Sequence, residues 1–100
     1  MKTITINGIF SGTPNDFVVL DVFRPNTLHH PYDFKKTYTR SFTETLSDLE
    51  PDTTYSIDFS GFTPGTFDLE ISGDFVGENP ITDSFEDSSF TPGYVIHTND

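Results

Sequence analysis

Apolar and polar residues alternate in short runs along this 100-residue chain, and Gly, Pro, Asn or Asp closes each run. A period of two sends successive side chains to opposite faces of a strand, so each run predicts a strand with one face toward a core. Residues 3–10 (TITINGIF) alternate through Ile4 and Ile6, and Gly8 predicts a bulge or a close contact. Residues 17–23 (FVVLDVF) are apolar at six of seven positions and read as a central strand buried on both faces. Residues 36–43 (KTYTRSFT) set Tyr38, Arg40 and Phe42 on one side, where Arg40 calls for an edge position or a cross-strand carboxylate.

Further on, TYSIDFS places Tyr55, Ile57 and Phe59 on one face, and TFDLEIS does the same with Phe67, Leu69 and Ile71. The intervening GFTPG predicts a five-residue turn joining the two as a hairpin, with Asp58, Asp68 and Glu70 close together on its outer face. GDFVGENPITDSFEDSSF has no clear period and reads as a long excursion with a short strand near residues 81–85, and GYVIHT closes the chain as a last strand. FTPG occurs at residues 62–65 and again at 90–93, each time ahead of an aromatic that opens a strand. Both copies read as one local solution, an apolar plug and a Pro-containing turn, and not as a repeat architecture.

Composition agrees with strands. Ala and Gln are absent, while Thr and Ser supply 24 residues and Phe 11. Good helix formers are thus scarce, and residues suited to a pleated, half-buried surface are plentiful. Residues 1–100 are expected to form one domain, an all-β antiparallel β-sandwich of about seven strands. Without cysteine there is no disulfide, thiolate nucleophile or zinc–sulfur site. The opening MKTITING lacks the continuous apolar stretch of a signal peptide. A cytoplasmic protein, a mature secreted one and a particle component all remain open, with an extracellular or particle setting favoured.

Charge sharpens the picture. The net charge of −11 disfavours a phosphate backbone or an anionic membrane as partner. All five basic residues (Lys2, Arg24, Lys35, Lys36, Arg40) fall in residues 1–40, beside Asp16, Asp21 and Asp33; residues 41–100 hold thirteen acids and no Lys or Arg. One reading is a solvated acidic surface that aids solubility and blocks edge pairing. The other is a basic patch of Arg24, Lys35, Lys36 and Arg40 that meets the Asp58, Asp68 and Glu70 strands of an acidic partner, including a second copy of the chain.

Candidate chemistry is sparse. No nucleophile-elbow, zincin, phosphate-loop or dinucleotide motif occurs, so an enzyme is not expected. HHPYD gathers His29, His30 and Asp33, but adjacent His side chains diverge on an extended loop, and a chelate would need His97 or Asp33 folded close. Asp74, Glu78, Asp83, Glu86 and Asp87 fall in the irregular excursion, where loop carboxylates suit calcium, although their spacing is not that of an EF-hand. No other cofactor is implied. Sugar binding would use exposed aromatics, for which Tyr32, Phe34 and Phe75 are the candidates. The expected function is therefore a non-enzymatic module working through protein–protein contacts, with self-assembly as one form. The alternative is a calcium- or carbohydrate-binding accessory domain.

One stretch carries a family likeness. Leu49-x-Pro51-x-Thr53-x-Tyr55-x-Ile57-x-Phe59 resembles the tyrosine corner of fibronectin type III and related immunoglobulin-like sandwiches. The resemblance implies that the Tyr55 hydroxyl turns back to a backbone group a few residues upstream, a scaffold role. FVVLDVFRP is similar to the second strand of that pattern, with Phe23 where the family usually carries Trp. GFTPGTFDLEISG is also similar to prealbumin-like and collagen-adhesin accessory domains. These likenesses imply architecture, since sandwich folds host many unrelated functions.

Overall fold

The computed structural model describes residues 1–25 and 32–100. Seven strands form one antiparallel sheet: β1 Lys2–Phe10, β2 Phe17–Phe23, β3 Asp33–Tyr38, β4 Phe42–Leu49, β5 Thr54–Gly73, β6 Ile81–Phe90 and β7 Gly93–His97. The 20-residue β5 organises the rest. Along one edge it pairs with β2 through residues 56–62 and with β1 through residues 67–73. Along the other it pairs with β7 through residues 54–58 and with β6 from Gly61 to Ile71. β3 adds outside β2, and β4 outside β1. Two four-stranded halves result, β3-β2-β5-β7 and β4-β1-β5-β6, and they share β5.

The sheet therefore has four rows, three of them interrupted: the β1–β2 and β3–β4 rows beside residues 63–66 of β5, and the β6–β7 row opposite residues 59–60. Residues 11–16 interrupt the β1–β2 row, residues 39–41 the β3–β4 row and residues 91–92 the β6–β7 row. β5 alone runs through, with Pro64 and Gly65 opposing the single Asp87 of β6, whose φ is +44°. Such a bulge bends a strand. Hydroxyls replace the lost ladder at this waist: Ser11 Oγ accepts from Thr66 N at 3.0 Å, Ser41 Oγ from Phe10 N at 2.9 Å and Thr63 Oγ1 from Gly65 N at 3.1 Å. Asp16, buried here, accepts from Thr13 and Thr63 hydroxyls, each at 2.7 Å. Such donors satisfy a polar group that has been taken out of water.

The sheet curls, and its concave face holds the core. Tyr55, Ile57, Phe59, Phe67, Leu69 and Ile71 of β5 pack there with Ile4, Ile6 and Phe10 of β1 and with Val18, Leu20 and Val22 of β2. Burial of each such aliphatic or aromatic side chain is worth about 1.5–3 kcal/mol. Phe67 lies at the centre, with ring centroids 4.5 Å from Phe10, 5.1 Å from Phe90 and 6.4 Å from Phe59. Gly8 is the expected close contact: a Cβ there would stand 2.3 Å from the Phe42 ring. At the start of β5, the buried Tyr55 hydroxyl accepts from Glu50 N at 2.8 Å, which is the corner geometry its motif implies.

Several expectations are corrected. The predicted hairpin is one continuous strand, because Gly61 and Phe62 stay paired on both sides and Pro64, which lacks an N–H, falls in the bulge. The residue types that make turns also suit bulges, and the inward parity of β5 is unbroken from Tyr55 to Ile71. The supposed excursion contains the ten-residue β6. Residues 36–43 split between β3 and β4, with Arg40 on the bend. β2 is central but fully buried on one face only, so Phe23 points to the convex side and Val22 takes the core position. The two FTPG copies are not equivalent: Phe62 lies on the convex side, and Phe90 is buried in the core.

Candidate functional site

The four basic residues expected to form a patch are spread over the β3 side of the sheet. Lys35 and Lys36 are neighbours on a strand and so face opposite ways. Lys36 lies on the concave side, 3.6 Å from Glu44 and over the Tyr38 ring. Lys35 lies on the convex side as the cross-strand partner of Asp21. Arg24 follows β2 at the end where β3 begins, whereas Arg40 is exposed on the bend beyond the far end of β3.

The acids divide as well. Asp58 and Asp68 are ten residues apart on β5 and belong to different halves. Asp58 pairs with Asp21, and with Asp33 they make a carboxylate group on the convex side of the first half. Desolvation, followed by the hydrogen bond and charge of Asp33, raises the Asp21 carboxyl above its ordinary value; Lys35 opposes this and Asp58 adds to it. Asp21 Oδ1 is buried and has no hydrogen-bond partner among the described residues. Gly93 leaves room for this group, since a Cβ there would stand 2.8 Å from Asp58 Oδ1.

Asp68 and Glu70 occupy the convex side of the second half. Rows across its strands read Thr43–Asn7–Glu70–Thr82 and Ile9–Asp68–Ser84. Asn7, Ile9, Asp68, Glu70, Thr82 and Ser84 line a shallow depression of about 480 Å³. Ser84 Oγ donates to Asp68 Oδ1 at 2.5 Å, and Thr43 Oγ1 to Asn7 Oδ1 at 2.7 Å. Ile9 stands 58% exposed beside them. The site thus combines two same-face carboxylates, short hydroxyl and amide groups and one apolar side chain, a set suited to a cation carried on an apolar stem.

At the sheet's open edges, tyrosine hydroxyls meet carboxylates. Tyr32 donates to Asp48 at 2.9 Å, Tyr94 to Asp83 at 2.7 Å, and Tyr38 to Glu44 in a short bond. The Tyr38 and Tyr94 pairs each tie one half of the sheet to the other. Burial first, then the bonded carboxylate, holds all three phenols well above their ordinary range. Lys36, Glu44 and Asp83 are also inward-pointing charged groups on edge strands, which obstruct pairing with another sheet.

The proposed calcium ligands have separate tasks. Asp74 Oδ2 accepts from Thr3 N at 3.0 Å, and Asp83 holds Tyr94. Asp87 lies opposite the β5 bulge with Glu86 next to it, and Glu78 is exposed in the turn before β6. Among the described residues, no three His or carboxylate side chains gather as a metal site. His29 and His30 lie outside the described residues. His97 bridges Thr54 Oγ1 at 2.9 Å and Asp52 Oδ1 at 2.7 Å. Hydroxyl, imidazole and carboxylate follow one another as in a nucleophile relay, but the His97 and Asp52 side chains are 45% and 70% exposed, without the exclusion of water that such chemistry uses. Of the sugar-platform candidates, Phe75 is buried, while Phe34 and Tyr32 pack against the core.

Sequence reasoning found Asp68 and Glu70 but not the residues around them. Ile9 carried a usable signal, since it breaks the parity set by Ile4 and Ile6 and must point outward if they point in. Thr82 and Ser84 carried none while β6 read as an excursion. No protein-family model, curated protein or solved structure matches the chain.

Proposed function

We propose that this domain is a non-enzymatic contact module that works through protein–protein contacts, with a second copy of itself as the partner. The observation that carries the reading is the separation of charge. Asp68 and Glu70 face solvent beside the exposed Ile9 on the convex side of one half of the sheet, whereas Lys35 lies on the convex side of the other half and Arg40 is exposed on the bend between β3 and β4. Opposite charges on different surfaces favour a heterologous contact, which closes into a ring or propagates as a filament. The guarded edges favour contact through faces over strand addition. The reading needs no cofactor, and a chain of net charge −11 has little affinity for nucleic acid or an anionic membrane.

The finer fold reading is an antiparallel β-sandwich of immunoglobulin-like or prealbumin-like type. Its support is that both halves of the sheet feed one core and that Tyr55 makes a corner bond. Sedimentation velocity over a range of protein and salt concentrations tests the functional reading. The expected result is association at low ionic strength that weakens as salt is added. A monomer at every ionic strength overturns it.

A further inference from the structure

Resting on the self-contact reading, we infer that Arg40 of one copy seats in the acidic depression of the next, its guanidinium on Asp68 and Glu70 and its stem along Ile9. Of the other four basic residues, three have a partner or a nearby charge within the chain, and Lys2 stands apart at the start of β1. Lys36 is paired with Glu44, Lys35 lies beside Asp21, and Arg24 makes contacts within its own chain. Arg40 is exposed on the bend between β3 and β4 and has no ion-pair partner among the described residues.

The receiving site fits the same chemistry. Asp68 and Glu70 are two residues apart on β5 and therefore share a face, roughly 7 Å apart at the backbone. Asp68 spends one oxygen on the Ser84 hydroxyl, which anchors the carboxylate and leaves its other oxygen available. A guanidinium presents planar paired donors that match carboxylates, and its alkyl stem covers apolar surface. Ile9, adjacent to Asp68 across the strands, supplies that surface. Donor and acceptor lie on different parts of the chain, so each copy offers both and the contact repeats head to tail.

Charge exchange tests the pairing. Arg40→Glu and Asp68→Arg are each measured alone and then together by sedimentation at low salt, with circular dichroism melts confirming folding. The single variants are expected to weaken association about tenfold or more, and the double variant to recover most of it, because the reversed pair restores the attraction. If Asp68→Arg does not fold, Glu70→Arg takes its place in the same cycle. Unchanged association in Arg40→Glu overturns this inference and leaves the self-contact reading standing; a wild-type chain that stays monomeric at all salts overturns both. Loss in both singles without recovery in the double variant also overturns the Arg40–Asp68 pairing.

Discussion

Replacing Tyr55 with Phe removes one oxygen from the interior and leaves the ring in place. The hydroxyl accepts from Glu50 N at 2.8 Å, and Tyr55 is fully buried, with its ring edge-on to Tyr32 at 5.5 Å between centroids. Because the ring is retained, no cavity term enters. What is lost is the partner of a partly buried N–H at the bend that carries the chain from β4 to β5. Leaving such a donor unsatisfied costs about 1–3 kcal/mol. For a domain of this size, each kcal/mol lowers Tm by about 4–8 °C. Tyr55→Phe is therefore expected to lower Tm by roughly 4–24 °C with an unchanged urea m-value, and Tyr55→Ala to cost about 3–5 kcal/mol for the lost ring as well. Urea melts at fixed pH supply the magnitudes, and amide exchange at Glu50 reports whether the loss is local. A change below about 0.5 kcal/mol, or an unaltered Glu50 amide, would refute the assignment of this hydroxyl as a tie between strand and bend.

Gly8→Ala should destabilise by about 1–3 kcal/mol, since the new methyl would overlap the Phe42 and Phe67 rings, and thermal melts measure it. Thr63→Val should cost a similar amount by withdrawing a donor from buried Asp16 and an acceptor from Gly65 N, while Thr63→Ser should recover most of it; equal losses would show that shape, not the hydroxyl, matters at this site. Asp21 has a folded-state pKa above its ordinary 3.8, so the fold binds its proton more tightly than the unfolded chain does, and stability falls as pH rises through that window. Asp21→Asn should therefore stabilise at neutral pH and lose its advantage near pH 3, read from paired urea melts. Tyr32, Tyr38 and Tyr94 are raised above 10.0, so the stability they contribute is intact below pH 10 and declines as pH climbs beyond it; an alkaline titration followed by near-ultraviolet absorbance and circular dichroism tests this.

What was legible in the sequence was parity within a strand. Alternation assigned Tyr55, Ile57, Phe59, Phe67, Leu69 and Ile71 to one face correctly, because burial acts residue by residue and leaves a local record. The Tyr55 motif was legible for the same reason, as its hydrogen bond spans only five residues. Connectivity between strands was not legible. GFTPG contains the residue types of a turn, yet cross-strand partners far away in the chain, Val18, Phe17, Phe90 and Ser89, hold it in the ladder. β6 was hidden because four of its residues, Asp83, Ser84, Glu86 and Asp87, are polar enough to read as loop. An edge strand paired on one side can carry inward-pointing charge provided that another side chain satisfies it, as Tyr94 does for Asp83.

The misread hairpin matters for the candidate site more than for the fold. A hairpin would have folded Asp58 against Asp68 and Glu70, making one acidic surface of three charges with one partner to find. A continuous β5 separates them by the bend. Asp58 then joins Asp21 and Asp33, with Lys35 as the nearby cation that acts on Asp21, and the consequence is a dependence of stability on pH. Asp68 and Glu70 are left on a half of the sheet where they meet hydroxyls, an amide and Ile9. Neither carboxylate is ion-paired among the described residues, and an exposed isoleucine beside them adds apolar area that gains from being covered. Arg40 is exposed on residues 39–41, which interrupt the β3–β4 row on the side of the sheet where the β1–β2 row also breaks. A strand that bends where the β1–β2 row breaks thus divides the acids, and the break between β3 and β4 presents the cation that complements one set of them.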